Sequence, residues 1–394
     1  MCGISGWIDW SLNLSDEQQI LKDMTNAIKH RGPDADGFWF SERAALGHRR
    51  LIVIDPEGGV QPMIYQESGY TIALTYNGEL YNYQELRKEL KNKGHHFQSE
   101  SDTEVLLHSY LEWQEDCVTH FNGIFAFAIW DERQEKLMLG RDHLGVKPLF
   151  FAQRGNSIIF GSELKVLLAH PQVQAELDRD GLAEIFGLGP IRTPGNGVFK
   201  DVEEVRAGHY ITFTSKERKT KKYWRLESKK HTDDLETTVN KIRSLLEDTV
   251  QRQLIADKPV TSMLSGGLDS SGLTAMAGDE FERSEKTLNT YSIDFVNNEA
   301  DFEEDFLRSD LDEPWVKRVS EHVGTNHKSI ILDADKLVNN LLVPMRARDL
   351  PGIGEIETSL YLLFNEKKES TVALSGESAD EFFPVIHGII RNSF

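Results

Sequence analysis

The chain has 394 residues, 39% of them hydrophobic and 27% charged, and a formal net charge of −20. That length exceeds one ordinary core and predicts two or three domains. The acidic balance argues against a nucleic-acid partner, because phosphate backbones are held by basic surfaces. Only Cys2 and Cys117 are available for a disulfide, so a reducing compartment is expected. No signal-peptide pattern opens the chain and no apolar run approaches the roughly 20 residues of a membrane span, so the expectation is a soluble, cytoplasmic protein without membrane partners.

In chain order, Ile4 to Trp10, Thr71 to Tyr76, Ile124 to Trp130, Lys136 to Arg141 and Ser157 to Phe160 read as strands. Between them, Ser15 and Gln18 suggest a capping box for a helix over 16–29. Asn82 is placed to cap a helix over 83–93 that Gly94 ends, and 103–115 has helical periodicity. Many strands with segregated helices predict an α+β layered domain over 2–214. The lysine-rich stretch 215–234 reads as a solvated hairpin and linker.

Helix and strand then alternate. Helices are expected at 235–253, 271–282, 314–323 and 334–346, and strands at 259–264, 288–295 and 371–374. Such alternation predicts an α/β domain with a doubly wound parallel sheet over 235–394. The acidic run 299–313 reads as an inserted loop.

Chemistry enters at the second residue. If Met1 is removed, Cys2 carries both a thiol and the α-amino group, whose ordinary pKa near ~8 lets it accept the thiol proton. A small buried cysteine is the plainer alternative. Arg50 is placed for a bidentate grip on a carboxylate, or for a surface ion pair. The Asn77 amide and the Gly78 N–H offer an oxyanion hole. Asp102 is suited to an ammonium group, or to a plain helix cap.

In the second half, Ser265-Gly266-Gly267-Leu268-Asp269-Ser270-Ser271 joins a strand to a helix. Its glycines admit phosphate close to the backbone, and its serines add hydroxyls. Asp269 suits Mg²⁺ bridging phosphate oxygens. A P-loop lysine is missing, which disfavours kinase or GTPase chemistry.

Five segments in order, Met1-Cys2-Gly3-Ile4, His30-Arg31-Gly32-Pro33-Asp34, Arg50-Leu51, Asn77-Gly78-Glu79 and Ser101-Asp102-Thr103-Glu104, resemble the class II glutamine amidotransferases of N-terminal nucleophile type. Gly145-Val146-Lys147-Pro148-Leu149 and Gly161-Ser162-Glu163 continue the match, and His143 stands where many relatives have proline. The resemblance implies Cys2 as nucleophile, Asn77 and Gly78 as oxyanion donors, and Arg50, Asn77, Glu79 and Asp102 on glutamine.

The glycine-rich turn is similar to the PP-loop of ATP pyrophosphatases, and Ser375-Gly376-Glu377-Ser378-Ala379-Asp380 to a second signature of asparagine synthetases. This implies Leu264, Ser265, Gly266, Gly267, Asp269, Ser270, Ile293, Ser375 and Gly376 around ATP. It also implies Asp269 and Asp380 on Mg²⁺, and Glu377 beside a β-aspartyl-adenylate. The whole resembles glutamine-hydrolysing asparagine synthetase, with glutamine, aspartate and ATP as substrates and a homodimer as a frequent state. The PP-loop discriminates against amino-sugar or purine amidotransferases, and Cys2 against β-lactam-forming relatives.

Beyond Phe383 the family's glycine pair and aromatic run give way to Pro384-Val385-Ile386-His387. The expectation from this break is an incomplete synthetase half, through a frameshift or a truncation, with weak or lost asparagine formation. A chain that keeps only glutamine hydrolysis, or a regulatory remnant, is the alternative.

Overall fold

The computed structural model describes residues 1–67, 69–303, 310–366, 370–377 and 379. It divides into two units, Met1–Lys229 with Met345–Gly352, and Lys230–Pro344 with Ile353–Phe394.

In the first unit the described strands are β1 (Gly3–Asp9), β2 (Ala35–Phe40), β3 (Ala44–Arg50), β4 (Met63–Glu67), β5 (Tyr70–Leu80), β6 (Gly123–Asp131), β7 (Lys136–Arg141), β8 (Phe150–Arg154), β9 (Ser157–Gly161), β10 (Val202–Glu204), β11 (His209–Phe213) and β12 (Arg218–Lys222). They pair into two antiparallel sheets, ordered β10-β8-β9-β1-β3-β2 and β12-β11-β7-β6-β5-β4. Alternation sorts the side chains by layer. Ile4, Ile8, Ala44 and Leu46 from one sheet meet Ala126, Trp130, Leu139 and Phe213 from the other in the core between them.

Trp7, Ala45 and Ile159 face outward, onto α1 (Gln18–Asn26) through Leu21 and Met24. The second sheet is covered on its outer face by α2 (Tyr83–Asn92) and α3 (Asp102–Trp113), whose Leu86, Leu90, Val105, Leu106 and Tyr110 are buried. The result is four layers, helix, sheet, sheet and helix, as the α+β expectation requires.

Several local expectations change. Ser15 does not cap the first helix. Asn13 accepts from Ser15 N–H to start a 3₁₀ turn, and α1 begins only at Gln18. Asn82 stands at the head of α2 without capping it, because its amide is bonded instead to His120 and Asn122. β5 runs four residues past the expected end at Tyr76. Within the lysine-rich stretch, β12 pairs with β11 as a hairpin and is exposed along its length. Arg218 there reaches Glu203 at 2.6 Å and Lys221 reaches Asp116 at 3.0 Å.

The second unit holds a parallel sheet of β13 (Val260–Met263), β14 (Asn289–Phe295), β15 (Asn326–Leu332) and β16 (Val372–Leu374), ordered β15-β14-β13-β16. Helices α4 (Leu235–Gln253), α5 (Leu268–Arg283) and α6 (Glu313–Val323) connect or flank its strands. The expected helix over 334–346 is broken into Ala334–Asn340 and Leu342–Arg348, and β15 was not expected. Of the acidic insert, part lies outside the described residues. Its start is a helical turn, Asn298–Asp301, and its end opens α6.

Candidate functional sites

Cys2 precedes β1, and the pairing of Gly3 with Arg49 brings it beside the end of β3. Leu51 N–H donates to Sγ at 3.3 Å, and the thiol reaches the Leu51 carbonyl at 3.5 Å. Burial pushes the thiol up, while the Leu51 contact, the N-terminal amine, Lys147 and Arg50 pull it down. The same burial lowers the N-terminal amine to about 6. Cys2 and Asp34 oppose that shift, and Arg31 and Lys147 add to it.

β5 supplies the facing wall. Thr75 Oγ1 donates to Gly47 O at 3.3 Å and lies 3.2 Å from His48 Nδ1, so this face of β5 looks across at β3. Asn77 and Glu79 follow on that face by alternation. Asn77 is 1% exposed, yet its Nδ2 has no partner among the described residues. An unmatched buried amide is uncommon and calls for a missing acceptor. Gly78 admits no side chain: a Cβ there would lie 2.7 Å from Phe125 Cα and 2.7 Å from the Tyr76 ring. Burial raises Glu79 to about 7, with Lys147 and the N-terminal amine opposing and Asp102 adding to it.

Tyr76 points the opposite way and donates to Asp102 Oδ2 at 2.8 Å; Leu80 N–H donates to the same oxygen at 3.0 Å. The plain-cap reading of Asp102 does not hold, because Ser101 caps α3 by accepting from Glu104 N–H. Burial raises the Asp102 carboxyl, against the pull of these hydrogen bonds. Arg50 is buried rather than on the surface, and donates to the carbonyls of Pro56 at 2.7 Å, of Asp55, and of Ile54 at 3.5 Å.

Three residues near Cys2 had carried no assigned role. Arg31 Nε donates to Cys2 O at 2.8 Å, and its Nη1 to Glu163 at 2.8 Å. Glu163 also takes Lys165 Nζ at 2.6 Å and is held down at about 2. Lys147 Nζ approaches Met1 Sδ at 3.3 Å. All three lie in segments that matched the family pattern, but the pattern does not say which atoms they touch.

In the second unit, strand order reverses between β13 and β16, and in open parallel sheets ligands bind beyond the strand ends at such a point. A cleft of about 710 Å³ opens there. Leu264, Ser265, Gly267, Asp269, Ser270, Ile293, Ser375, Gly376 and Glu377 all line it. Gly266 does not line it. It makes the turn instead, with φ +83 and a Cβ position 2.9 Å from Trp315 Cβ.

Gly267 heads α5 without a side-chain cap, leaving the helix's first N–H groups toward the turn. Ser270 Oγ accepts from Ser265 N–H at 3.2 Å and meets Ser265 Oγ at 3.0 Å, so it also closes the loop. Ile293 serves both roles, packing with Ile330 and Leu363 as well as facing the cleft. Asp380 lies outside the described residues. Among the described residues no group of three His, Cys, Asp or Glu side chains is arranged to hold a metal.

Comparison with known proteins agrees in both halves. A glutamine amidotransferase domain model matches residues 1–224 and an asparagine synthase model residues 241–390. The chain is 49% identical to asparagine synthetase [glutamine-hydrolyzing] 3 of Bacillus subtilis, covering 97% of this chain and 63% of that one. Identity is 34% to asparagine synthetase 1 of the same organism, covering 97% and 58%, and 28% to asparagine synthetase B of Escherichia coli, covering 97% and 64%. The chain thus spans about three fifths of the length of these relatives. By both of its domains, it belongs to the glutamine-hydrolysing asparagine synthetase family.

Proposed function

We propose that the chain hydrolyses glutamine at Cys2 and delivers the ammonia to β-aspartyl-AMP formed from aspartate and ATP. The products are asparagine, AMP, pyrophosphate and glutamate. We assign hydrolysis to residues 2–214 and the ligase chemistry to residues 235–394.

The observation that carries the glutaminase reading is the unpartnered Asn77 amide, buried beside the wall that faces Cys2. Removal of Met1 moves the amine onto Cys2 itself. That amine takes the thiol proton, and Sγ attacks the glutamine side-chain carbon. The carbonyl oxygen becomes an oxyanion that accepts from Asn77 Nδ2 and Gly78 N–H. The amine returns the proton to the leaving nitrogen, which departs as ammonia, and water cleaves the thioester to glutamate. Arg50 holds the substrate carboxylate, and Glu79 and Asp102 its ammonium.

In the cleft, the α5 N-terminus and the Gly266-Gly267 turn receive the ATP phosphates, and Glu377 stands beside the adenylate. Asp269, which lines the cleft, would hold a magnesium ion, a role that one or two protein carboxylates can fill at a phosphate site. That ion would neutralise phosphate charge. Direct transfer of ammonia is chemically sensible, because free ammonia is largely protonated at neutral pH and then not nucleophilic.

The formed parallel sheet and its cleft favour this reading over a chain that only hydrolyses glutamine. The test is aspartate-dependent ATP–pyrophosphate exchange, together with asparagine formation from glutamine. Cys2→Ala should abolish the glutamine-dependent reaction and retain the ammonia-dependent one. No exchange with aspartate present would sink the ligase half. A homodimer and a cytoplasmic site complete the proposal, the former open to light scattering. Among the described residues no helix is long and apolar enough to cross a membrane.

A further inference from the structure

Arg50 and Asp102 stand on different elements, one ending β3 and the other opening α3. Each suits one end of an α-amino acid, so the span between them decides how well both ends are held at once. Asp55, in the loop after Arg50, bonds to the segments that carry both.

Its backbone belongs to the cage around Arg50. The guanidinium donates to the carbonyls of Ile54, Asp55 and Pro56, and Gly59 N–H donates to the Asp55 carbonyl at 3.0 Å. The turn that gathers these carbonyls passes through Asp55 at φ +47, a left-handed conformation in which aspartate and asparagine are enriched. One side-chain oxygen holds the turn, because Oδ1 accepts from Gly58 N–H at 2.8 Å. The other leaves the loop, and Oδ2 accepts from Glu100 N–H at 2.8 Å.

Glu100 directly precedes Ser101, the cap of α3, and Asp102 follows. The same short segment is held from its other side. Glu104 accepts from the N–H groups of Gln98 and Ser99 at 2.8 Å each, and Arg87 donates to the carbonyls of Ser99 and Ser101. Farther along the loop, Gln61 Nε2 reaches Thr103 Oγ1 only at 3.5 Å. The Asp55 carboxylate is thus a short, charge-assisted staple between the Arg50 loop and the head of α3.

We propose that Asp55 is a positioning residue for glutamine binding, its carboxylate fixing the span between the groups that hold the substrate's carboxylate and ammonium. The inference rests on the glutaminase reading above. A substrate gripped at both ends loses affinity when that span is free to vary, because binding must then bear the cost of ordering it. The chemistry at Cys2 is not touched.

The test uses two variants of the full chain. In Asp55→Asn one oxygen becomes an amide nitrogen that cannot accept, so one of the two N–H bonds is lost while the left-handed backbone is still tolerated. Gly58→Ala leaves Asp55 in place but sets a Cβ against its Oδ2 and 2.5 Å from Ser99 Cβ, wedging loop and segment apart. KM for glutamine should rise about tenfold in both, with kcat within about twofold of the parent. Binding is also read without turnover, as protection of Cys2 from alkylation by iodoacetamide. The half-protecting glutamine concentration should rise with KM, and the alkylation rate without glutamine should stay at the parent value. Unchanged KM and protection in either folded variant overturns the proposal. So does a kcat or an unprotected alkylation rate that falls as far as KM rises, which marks a merely structural role. A parent that binds glutamine without hydrolysing it sinks the glutaminase reading alone, and one that does neither sinks both.

Discussion

Truncating Asn77 separates a catalytic donor from a structural one. Its Nδ2 is buried and makes no hydrogen bond among the described residues, so the folded protein bears an unmet desolvation cost of about 1–3 kcal/mol. Asn77→Ala removes that cost and leaves a small void, whose penalty is about 1 kcal/mol for so few atoms. The two nearly cancel, and Tm should move by no more than about 4 °C. In the proposed mechanism the same amide faces an oxyanion in the transition state, and loss of one such donor costs about 2.7–4 kcal/mol, or about 10²–10³ in kcat. KM should change little, because the ground-state carbonyl is a weak partner. The assay is glutamate release at saturating glutamine, paired with a thermal melt of each protein. A fall in kcat that tracks a fall in Tm of ten degrees or more would refute the argument, as would unimpaired turnover.

Asp102→Asn keeps an acceptor for Tyr76 O–H and Leu80 N–H but removes the charge. KM for glutamine should rise about tenfold or more, with kcat nearly unchanged, in steady-state kinetics. Gly266→Ala forces a side chain onto a backbone at φ +83, a strain of about 1–2 kcal/mol, and sets it against Trp315. ATP–pyrophosphate exchange should fall at least tenfold while glutamine hydrolysis persists. His48 is pushed down to about 3 by burial, with Arg50 adding to the shift. The unfolded chain takes up that proton near 6.5 and the folded one does not, so stability is full above pH 6.5 and declines as pH falls toward 3. Urea unfolding at pH 7.5 and pH 5 should show a smaller drop for His48→Gln than for the parent.

The candidate thiol and the glycine-rich turn were legible because each depends on local chemistry: a thiol at the second position, and glycines where a chain must bend tightly. β3 was legible only as an apolar strand with Arg50 at its mouth: its seven residues, Ala44 to Arg50, are all buried, so no alternation marks its bounds. The end of β5 was missed for a related reason. Asn77 and Gly78 carry turn propensities, yet pairing with Ala126 and Phe125 keeps them extended. The Asn82 cap failed because its amide is taken by His120 and Asn122, and the Ser15 cap because Asn13 caps a 3₁₀ turn there and α1 begins only at Gln18. Lys147 and Arg31 sat in matched segments, but their aim at the first two residues is set by contacts 146 and 29 positions away in sequence.

The hairpin strand Arg218–Lys222 carries a consequence for the protein at high concentration. A sheet with an unpaired edge offers a row of N–H and C=O groups on which another chain can be templated. Here that edge carries Arg218, Lys219, Lys221 and Lys222, four cations on five exposed residues. A second copy approaching in strand register would set these charges against its own. The lysines that look like linker composition thus act as a guard against open-ended growth of the sheet. Exchanging them for valine or threonine should leave glutamine hydrolysis intact and make the chain assemble edge to edge.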